Sequence, residues 1–146
     1  LWGGSLDAID QTIRHGVRWQ TDENTRVSEM PRFGKDGLLE PQQISDVTQY
    51  VLSLTNAATD NAAAERGKTV YAEQCAACHG PNGEGNQELG APRLSDAVWL
   101  YGGTPEEILR QISAARHGVM PAWQGRLDDP TLKMLTVYVH SLGGGK

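Results

Sequence analysis

Cysteine, long apolar runs and clustered positive charge are all scarce in this sequence, and each scarcity excludes a class of function. The 146 residues include two cysteines, and the formal net charge is −5. A membrane-spanning helix needs about 18 or more consecutive apolar residues, so the sequence predicts none, and it shows no signal-peptide pattern. The negative net charge and the lack of a Lys/Arg cluster argue against a nucleic acid as partner.

The two cysteines, Cys75 and Cys78, stand three positions apart and directly before His79. A structural zinc site needs about four ligands, and no second cysteine pair is present to complete one. A redox disulfide of the thioredoxin type follows a strand, and no Val/Ile-rich strand precedes this segment. The pattern C-x-x-C-H is instead the attachment site of a c-type haem, since two sulfurs on one helical turn can reach the two vinyl groups of a porphyrin. We therefore expect one covalent haem c bound through Cys75 and Cys78, with His79 as a ligand of its iron.

The sequence contains a repeat whose first copy lacks the haem motif. Three pairs of segments match in the same order: 1–9 with 100–108, 30–33 with 120–123, and 39–54 with 127–142. We therefore expect residues 1–55 to be the rear part of a first cytochrome c domain, 56–62 a linker, and 63–146 a complete cytochrome c domain. The attachment motif of the first domain is expected upstream of Leu1, and an opening residue other than Met suggests a trimmed chain.

Caps, prolines and apolar spacing predict an all-α architecture. Helices are expected to begin at or near Ser5, Glu40, Ala63, Thr104 and Pro130. In the third of these, Gly67 and Tyr71 share one face. A glycine inside a helix costs about 1 kcal/mol, so Gly67 is either a weak spot or a place where another helix crosses closely. The last helix is the expected partner of such a crossing.

The second axial ligand of the iron must come from a loop. Thioether sulfur is a soft ligand that suits haem iron, and Met120 lies in a loop just before a proline. Met120 is therefore predicted, with His117 as the alternative. Met30 matches Met120 in the repeat, and Met134 is attributed to packing in the last helix. His15 and His140 are interpreted as surface groups.

Other residues are expected to surround the haem. A backbone carbonyl near Pro92 could accept the Nδ1–H of His79 and fix its ring. Side chains that either hold the propionates or wall the haem are Arg93, Trp99, Tyr101 and Trp123. For the aromatic residues, core packing is an equally good explanation.

These residues resemble a known family. The strings C-A-A-C-H-G-P-N-G-E-G-N-Q-E-L-G-A-P-R-L, W-L-Y-G-G and H-G-V-M-P-A-W are similar to the second haem domain of the dihaem c-type subunit of cbb3-type cytochrome c oxidase. Residues 2–54 resemble the rear of that subunit's first haem domain. The resemblance implies a class I cytochrome c fold, ligation by His79 and Met120, and Met30 as the ligand of a first haem.

The resemblance also implies a function. The chain is expected to relay electrons to the catalytic subunit of the oxidase and to have no catalytic site of its own. Its expected partners are the catalytic subunit, the monohaem c-type subunit and a soluble electron donor, on the periplasmic side of the bacterial inner membrane. The full-length family member carries a second haem. The alternatives are a soluble dihaem periplasmic electron carrier and, less favoured, a haem peroxidase.

Overall fold

The computed structural model describes residues 4–143. Six helices lie in this part of the chain: α1 (Leu6–His15), α2 (Pro41–Ser53), α3 (Asn61–Gln74), α4 (Ala76–His79), α5 (Pro105–Ser113) and α6 (Asp129–Ser141). Extended pairing between residues 4 and 143 is limited to isolated bridges, and no strand forms there, which confirms the predicted all-α class. None of the helices in this range is both long and apolar enough to span a bilayer. The predicted repeat and domains also include residues 1–3 and 144–146, which lie outside the described residues.

The helices begin where short-range capping predicts. Thr104 Oγ1 accepts a hydrogen bond from the backbone N–H of Glu107, and the Glu107 carboxylate accepts one from the backbone N–H of Thr104. This reciprocal pair is the predicted capping box of α5. The helix expected from Ala63 begins two residues earlier, at Asn61, because Asp60 caps it through the backbone N–H of Ala63.

The described residues form two compact units, which we call the terminal unit (residues 4–28 and 117–143) and the haem-motif unit (residues 29–116). These units differ from the domains expected from the repeat. Those domains rest on the sequence match alone and stay a prediction.

The terminal unit is built from α1 and α6. Arg14 donates to Asp129 over 2.7 Å, which pairs the end of α1 with the beginning of α6. Ile13 and Leu132 are both buried. Few apolar side chains are buried in the described part of this unit, so polar contacts such as the ion pair between Arg14 and Asp129 supplement its apolar packing.

The haem-motif unit has the larger apolar core, formed by α2, α3, α5 and the loop before α2. Its buried residues are Phe33, Leu39, Ile44, Val47, Val51, Leu52, Tyr71, Ile108 and Ile112. Val47 of α2 and Tyr71 of α3 are almost completely buried, so these two helices form the centre of the core.

Helix α2 crosses α3 at Gly67. A Cβ atom at this position would overlap the carbonyl oxygen of Asp46, so the backbones touch there. Of the two interpretations of Gly67, the close crossing is the one that the structure confirms. The expected partner, the last helix, is wrong, because the helix at Gly67 is α2. A short connection favours packing between helices that are consecutive in sequence. The rings of Tyr50 and Tyr71 complete this contact, with centroids 4.9 Å apart and planes tilted by 51°.

Candidate haem site

The C-x-x-C-H motif lies at the junction of two helices. Cys75 lies between α3 and α4, as the C-cap of the first and the N-cap of the second, with φ −117° and ψ −36°. Its carbonyl oxygen accepts hydrogen bonds from the backbone N–H groups of Cys78 (3.1 Å) and His79 (2.9 Å), so the three side chains share one helical turn. Gly80 ends that turn with φ +79°, a conformation that glycine adopts without strain.

Both cysteines are free thiols. Cys75 is partly buried and Cys78 is exposed. Burial, assisted by the neighbouring Cys78, raises the pKa of the Cys75 thiol to about 11. The two sulfurs are therefore available for bonds to a group placed against this turn.

The ring of His79 is buried and held in one orientation. Its Nδ1 lies 2.9 Å from the carbonyl oxygen of Pro92, the contact that the sequence predicts. A carbonyl oxygen can only accept, so Nδ1 carries the proton and Nε2 keeps its lone pair. Burial lowers the pKa of His79, while the hydrogen bond to Pro92 acts in the opposite direction. The ring is thus a neutral imidazole with Nε2 available as a metal ligand.

The loop after the motif is closed by main-chain hydrogen bonds. The backbone N–H of Gly85 donates to the carbonyl oxygen of His79 (2.8 Å), and that of Leu94 donates to Gly83 (2.7 Å). Tyr71 reaches the same loop from α3, since its hydroxyl donates to the carbonyl oxygen of Gly80 over 2.8 Å. This role of Tyr71 was not predicted from the sequence. Its position one helical turn before Cys75 was the available signal.

The other predicted site residues lie in several places. Arg93 is exposed and donates from Nε to the carbonyl oxygen of Glu84 (3.4 Å). Trp99 packs against the apolar core of the haem-motif unit. Tyr101 lies under the Arg116 guanidinium, whose carbon is 4.8 Å from the ring centroid.

Trp123 belongs to the terminal unit. Its side chain is 37% exposed, and the guanidinium carbon of Arg126 lies 5.8 Å from its ring centroid. A haem-walling role for Trp123 stays a prediction.

The methionines are distributed over both units. Met30 packs against the core of the haem-motif unit. Met120 belongs to the terminal unit, where its backbone exchanges two hydrogen bonds with Val17, each 3.0 Å long. His117 is exposed and belongs to the same unit.

Two interpretations of single side chains were wrong. Met134 is 64% exposed, so packing within α6 does not account for it. The side chain of His15 is 17% exposed and contacts the carboxylate of Asp22 at 3.1 Å, so it is not a surface group. In both cases the helical spacing identified the helix but not the face that would be covered.

The donor set fits a covalently attached haem. It combines two free thiols on one turn, one of them exposed, with an imidazole whose Nε2 carries a lone pair. Ligation of an iron by His79 and by a methionine stays a prediction.

Comparison with known proteins agrees with this donor set. A family model described as "Cytochrome C oxidase, cbb3-type, subunit III" matches residues 62–139. The chain is 53% identical over 145 residues to a cbb3-type cytochrome c oxidase subunit FixPc of Rhizobium leguminosarum bv. viciae, covering 99% of this chain and 50% of that relative. It is 49% identical over 146 residues to a subunit CcoP of Cereibacter sphaeroides, covering 100% of this chain and 50% of the relative.

A subunit CcoP of Azospirillum brasilense is 52% identical over 153 residues, covering 100% of this chain and 52% of that relative. The chain spans about half the length of the curated relatives it matches. The family model covers more than half of the chain, and the identity extends over the whole of it. The chain therefore belongs to the cbb3-type cytochrome c oxidase subunit III family.

Proposed function

We propose that this chain transfers electrons through a haem held covalently at Cys75 and Cys78, within a cbb3-type cytochrome c oxidase. The observation that carries the proposal is the single helical turn on which both thiols and the His79 imidazole lie, with Nδ1 of that ring bound to the Pro92 carbonyl oxygen. The relatives are subunits of cbb3-type oxidases, which supports the assignment to that complex.

The residues around the turn have separate tasks. A haem supplies, when bound, an iron that changes by one electron between its ferric and ferrous states. Cys75 and Cys78 would hold the ring by thioether bonds, and His79 would bind the iron through Nε2. A methionine would supply the second iron ligand, and the sequence prediction for it is Met120. An iron with both of these protein ligands would leave no position for oxygen or peroxide, so the chain would transfer electrons without bond chemistry.

The finer features of the proposal rest on the resemblance of the sequence. They are a class I cytochrome c fold around the haem, a partial first copy at residues 1–55, and a second haem in the full-length protein. The partners are the catalytic subunit, the monohaem c-type subunit and a soluble electron donor. The location is the periplasmic side of the bacterial inner membrane.

The test is to express the chain together with a system that attaches c-type haem. We expect the intact mass to increase by one haem and the product to show a reversible one-electron potential. The variant in which Cys75 and Cys78 are both changed to Ala should remain free of covalent haem, whereas Met134→Ala should load like the parent.

Two results would contradict the proposal. One is a parent chain that forms a Cys75–Cys78 disulfide and takes up no haem under the same conditions. The other is a haem-loaded chain that turns over peroxide with an open iron face, which would favour the peroxidase alternative. Reduction of a cbb3 oxidase by the loaded chain, measured as oxygen uptake, tests the assignment to the complex.

A further inference from the structure

We infer that the Tyr71 hydroxyl positions the His79 imidazole and thereby lowers the reduction potential of a haem bound at the C-x-x-C-H turn. Tyr71 acts through the loop of residues 80–95, which we call the motif loop, so it is a positioning residue. The inference rests on the proposed function, because it concerns the ligand that His79 supplies there. It is argued from the burial of the hydroxyl and from the hydrogen bonds of the motif loop.

The Tyr71 side chain lies in the centre of the core, where packing alone requires no hydroxyl. The residue is 1% exposed, and its ring packs on that of Tyr50 with centroids 4.9 Å apart. Burying a hydroxyl is unfavourable unless it forms a hydrogen bond. Burial also raises the pKa of Tyr71 well above its usual value, so the hydroxyl stays protonated and can donate. A phenylalanine would fill nearly the same space without burying a polar group, so the hydroxyl has a role apart from packing.

The hydroxyl holds the beginning of the motif loop. It donates to the carbonyl oxygen of Gly80 over 2.8 Å. The same carbonyl oxygen accepts a hydrogen bond from the backbone N–H of Gly83 over 3.2 Å. Gly80 follows His79 directly and ends its helical turn. The hydroxyl therefore fixes the chain at the point where it leaves the histidine.

The turn held in this way carries the segment that contacts the imidazole. The carbonyl oxygen of Gly83 accepts from the backbone N–H groups of Leu94 (2.7 Å) and Ser95 (3.2 Å). The Ser95 hydroxyl donates to the same oxygen over 3.2 Å. Pro92, two positions before Leu94, supplies the carbonyl oxygen that lies 2.9 Å from Nδ1 of His79. This series of hydrogen bonds connects the hydroxyl on α3 to the imidazole.

The motif loop has little room to adjust. Gly83 has φ +71°, and a Cβ atom there would lie 2.7 Å from Cδ1 of Leu54, the C-cap of α2. At Gly80 a Cβ atom would overlap the carboxylate of Glu84. Closely packed segments transmit a displacement to their neighbours. A shift of the Gly80 carbonyl group should therefore reach Pro92.

The hydrogen bond from Nδ1 affects how strongly His79 donates electrons to a metal. A good acceptor at this nitrogen fixes the ring and raises the basicity of the imidazole. A more basic ligand favours ferric over ferrous iron, and hydrogen bonding around the ligand is one of the means by which a protein sets a haem potential. Loss of the Tyr71 hydroxyl should loosen the motif loop, weaken the contact with Pro92 and so raise the potential.

The experiment compares the full chain loaded with haem, as the parent and as Tyr71→Phe. The midpoint potential is measured by spectroelectrochemical titration, and the solvent exchange of the His79 Nδ1 proton by NMR of the reduced form. We expect Tyr71→Phe to shift the potential upward and to make the exchange several-fold faster. Ser95→Ala removes another hydrogen bond to Gly83 and should shift both quantities in the same direction. Should Tyr71→Phe fail to give loaded protein, Ser95→Ala decides by the same two measurements.

Two controls separate positioning from general stability. Tyr50→Phe removes the hydroxyl of the ring that packs on Tyr71. Thr104→Ala destabilises the same unit by removing the N-cap of α5, away from the motif loop. Both controls should keep the potential and the Nδ1 exchange of the parent. An effect of Tyr71→Phe that reflected only lower stability would appear in Thr104→Ala as well.

An unchanged or lowered potential in Tyr71→Phe, or an unchanged exchange of the Nδ1 proton, overturns the inference and leaves the proposed function intact. Equal shifts in Tyr71→Phe and Thr104→Ala overturn it as well, since they would show an effect of stability alone. Failure of the parent chain to take up a covalent haem is a different result, because it removes the proposed function and the inference together.

Discussion

Arg66 donates hydrogen bonds to both carboxylate oxygens of Asp46, over 2.9 Å from Nε and 2.7 Å from Nη2. The pair joins α3 to α2 beside the Gly67 crossing. The Arg66 guanidinium holds the pKa of the Asp46 carboxyl below its ordinary value, against the opposing effect of burial, and a hydrogen bond from Gln42 assists it.

Asp46→Asn should therefore destabilise the haem-motif unit at neutral pH. We expect a loss of about 1 kcal/mol, because Arg66 is half exposed and solvent screens the pair. Because the pKa of Asp46 is lower in the folded chain than in the unfolded chain, the ion pair stabilises the fold at pH values above the unfolded pKa of ~4. This stabilisation is lost as the pH falls through the pKa of the folded chain. Urea unfolding at pH 7 and at pH 3 should show that the difference between variant and parent shrinks in acid. Asp36→Asn, which removes an exposed i,i+4 pair with Arg32, is the control. A pH-independent difference would refute the assignment.

Gly67→Ala tests the helix crossing. Alanine favours an isolated helix by about 1 kcal/mol over glycine, yet the added methyl group would meet the carbonyl oxygen of Asp46. We expect a net destabilisation of about 1–3 kcal/mol, since overpacking forces the backbones apart. Thermal unfolding measures it, with the exposed neighbour Lys68→Ala as control. A stabilised Gly67→Ala chain would mean that α2 and α3 do not touch there.

Tyr71→Phe tests the link between α3 and the loop after the motif. The substitution removes the hydroxyl that donates to the Gly80 carbonyl oxygen and keeps the ring. We expect a loss of about 0.5–1.5 kcal/mol in urea unfolding, since one partly buried hydrogen bond disappears. Tyr50→Phe removes the hydroxyl of the neighbouring ring and should unfold like the parent. Equal effects of the two substitutions would count against a specific role for the Tyr71 hydroxyl.

Thr104→Ala tests the capping box of α5. It removes the hydroxyl that accepts from the Glu107 N–H, and we expect a loss of about 1 kcal/mol. Thr104→Ser keeps the oxygen and should stay close to the parent in thermal unfolding. The backbone N–H of Thr104 lowers the pKa of Glu107, so the carboxylate half of the box is lost only as pH falls through that lowered value. An alanine variant as stable as the serine variant would show that the cap contributes nothing.

What could be predicted from the sequence was local. The start of α5 follows from four consecutive residues, and the turn from Cys75 to His79 follows from the chemistry of its motif. The contact between His79 and Pro92 was also within reach, because a buried metal-ligating histidine needs an acceptor for its second nitrogen.

What could not be predicted was the choice between similar partners. Helices α2 and α6 carry the same spacing of apolar residues with a tyrosine at matching positions, so the pattern fits either helix at Gly67. The acceptor of the Tyr71 hydroxyl is a backbone carbonyl oxygen. Every residue has this group, so the residue types do not identify the acceptor. The partly buried position of His15 depends on the carboxylate of Asp22, which lies in the loop after α1, and helical spacing does not predict the course of a loop.

The contact at Gly67 also determines which substitutions the helix crossing tolerates. Because the docking surface there is main chain, substitutions on the opposite helix can accumulate without changing the crossing, provided that they leave its backbone exposed to the glycine.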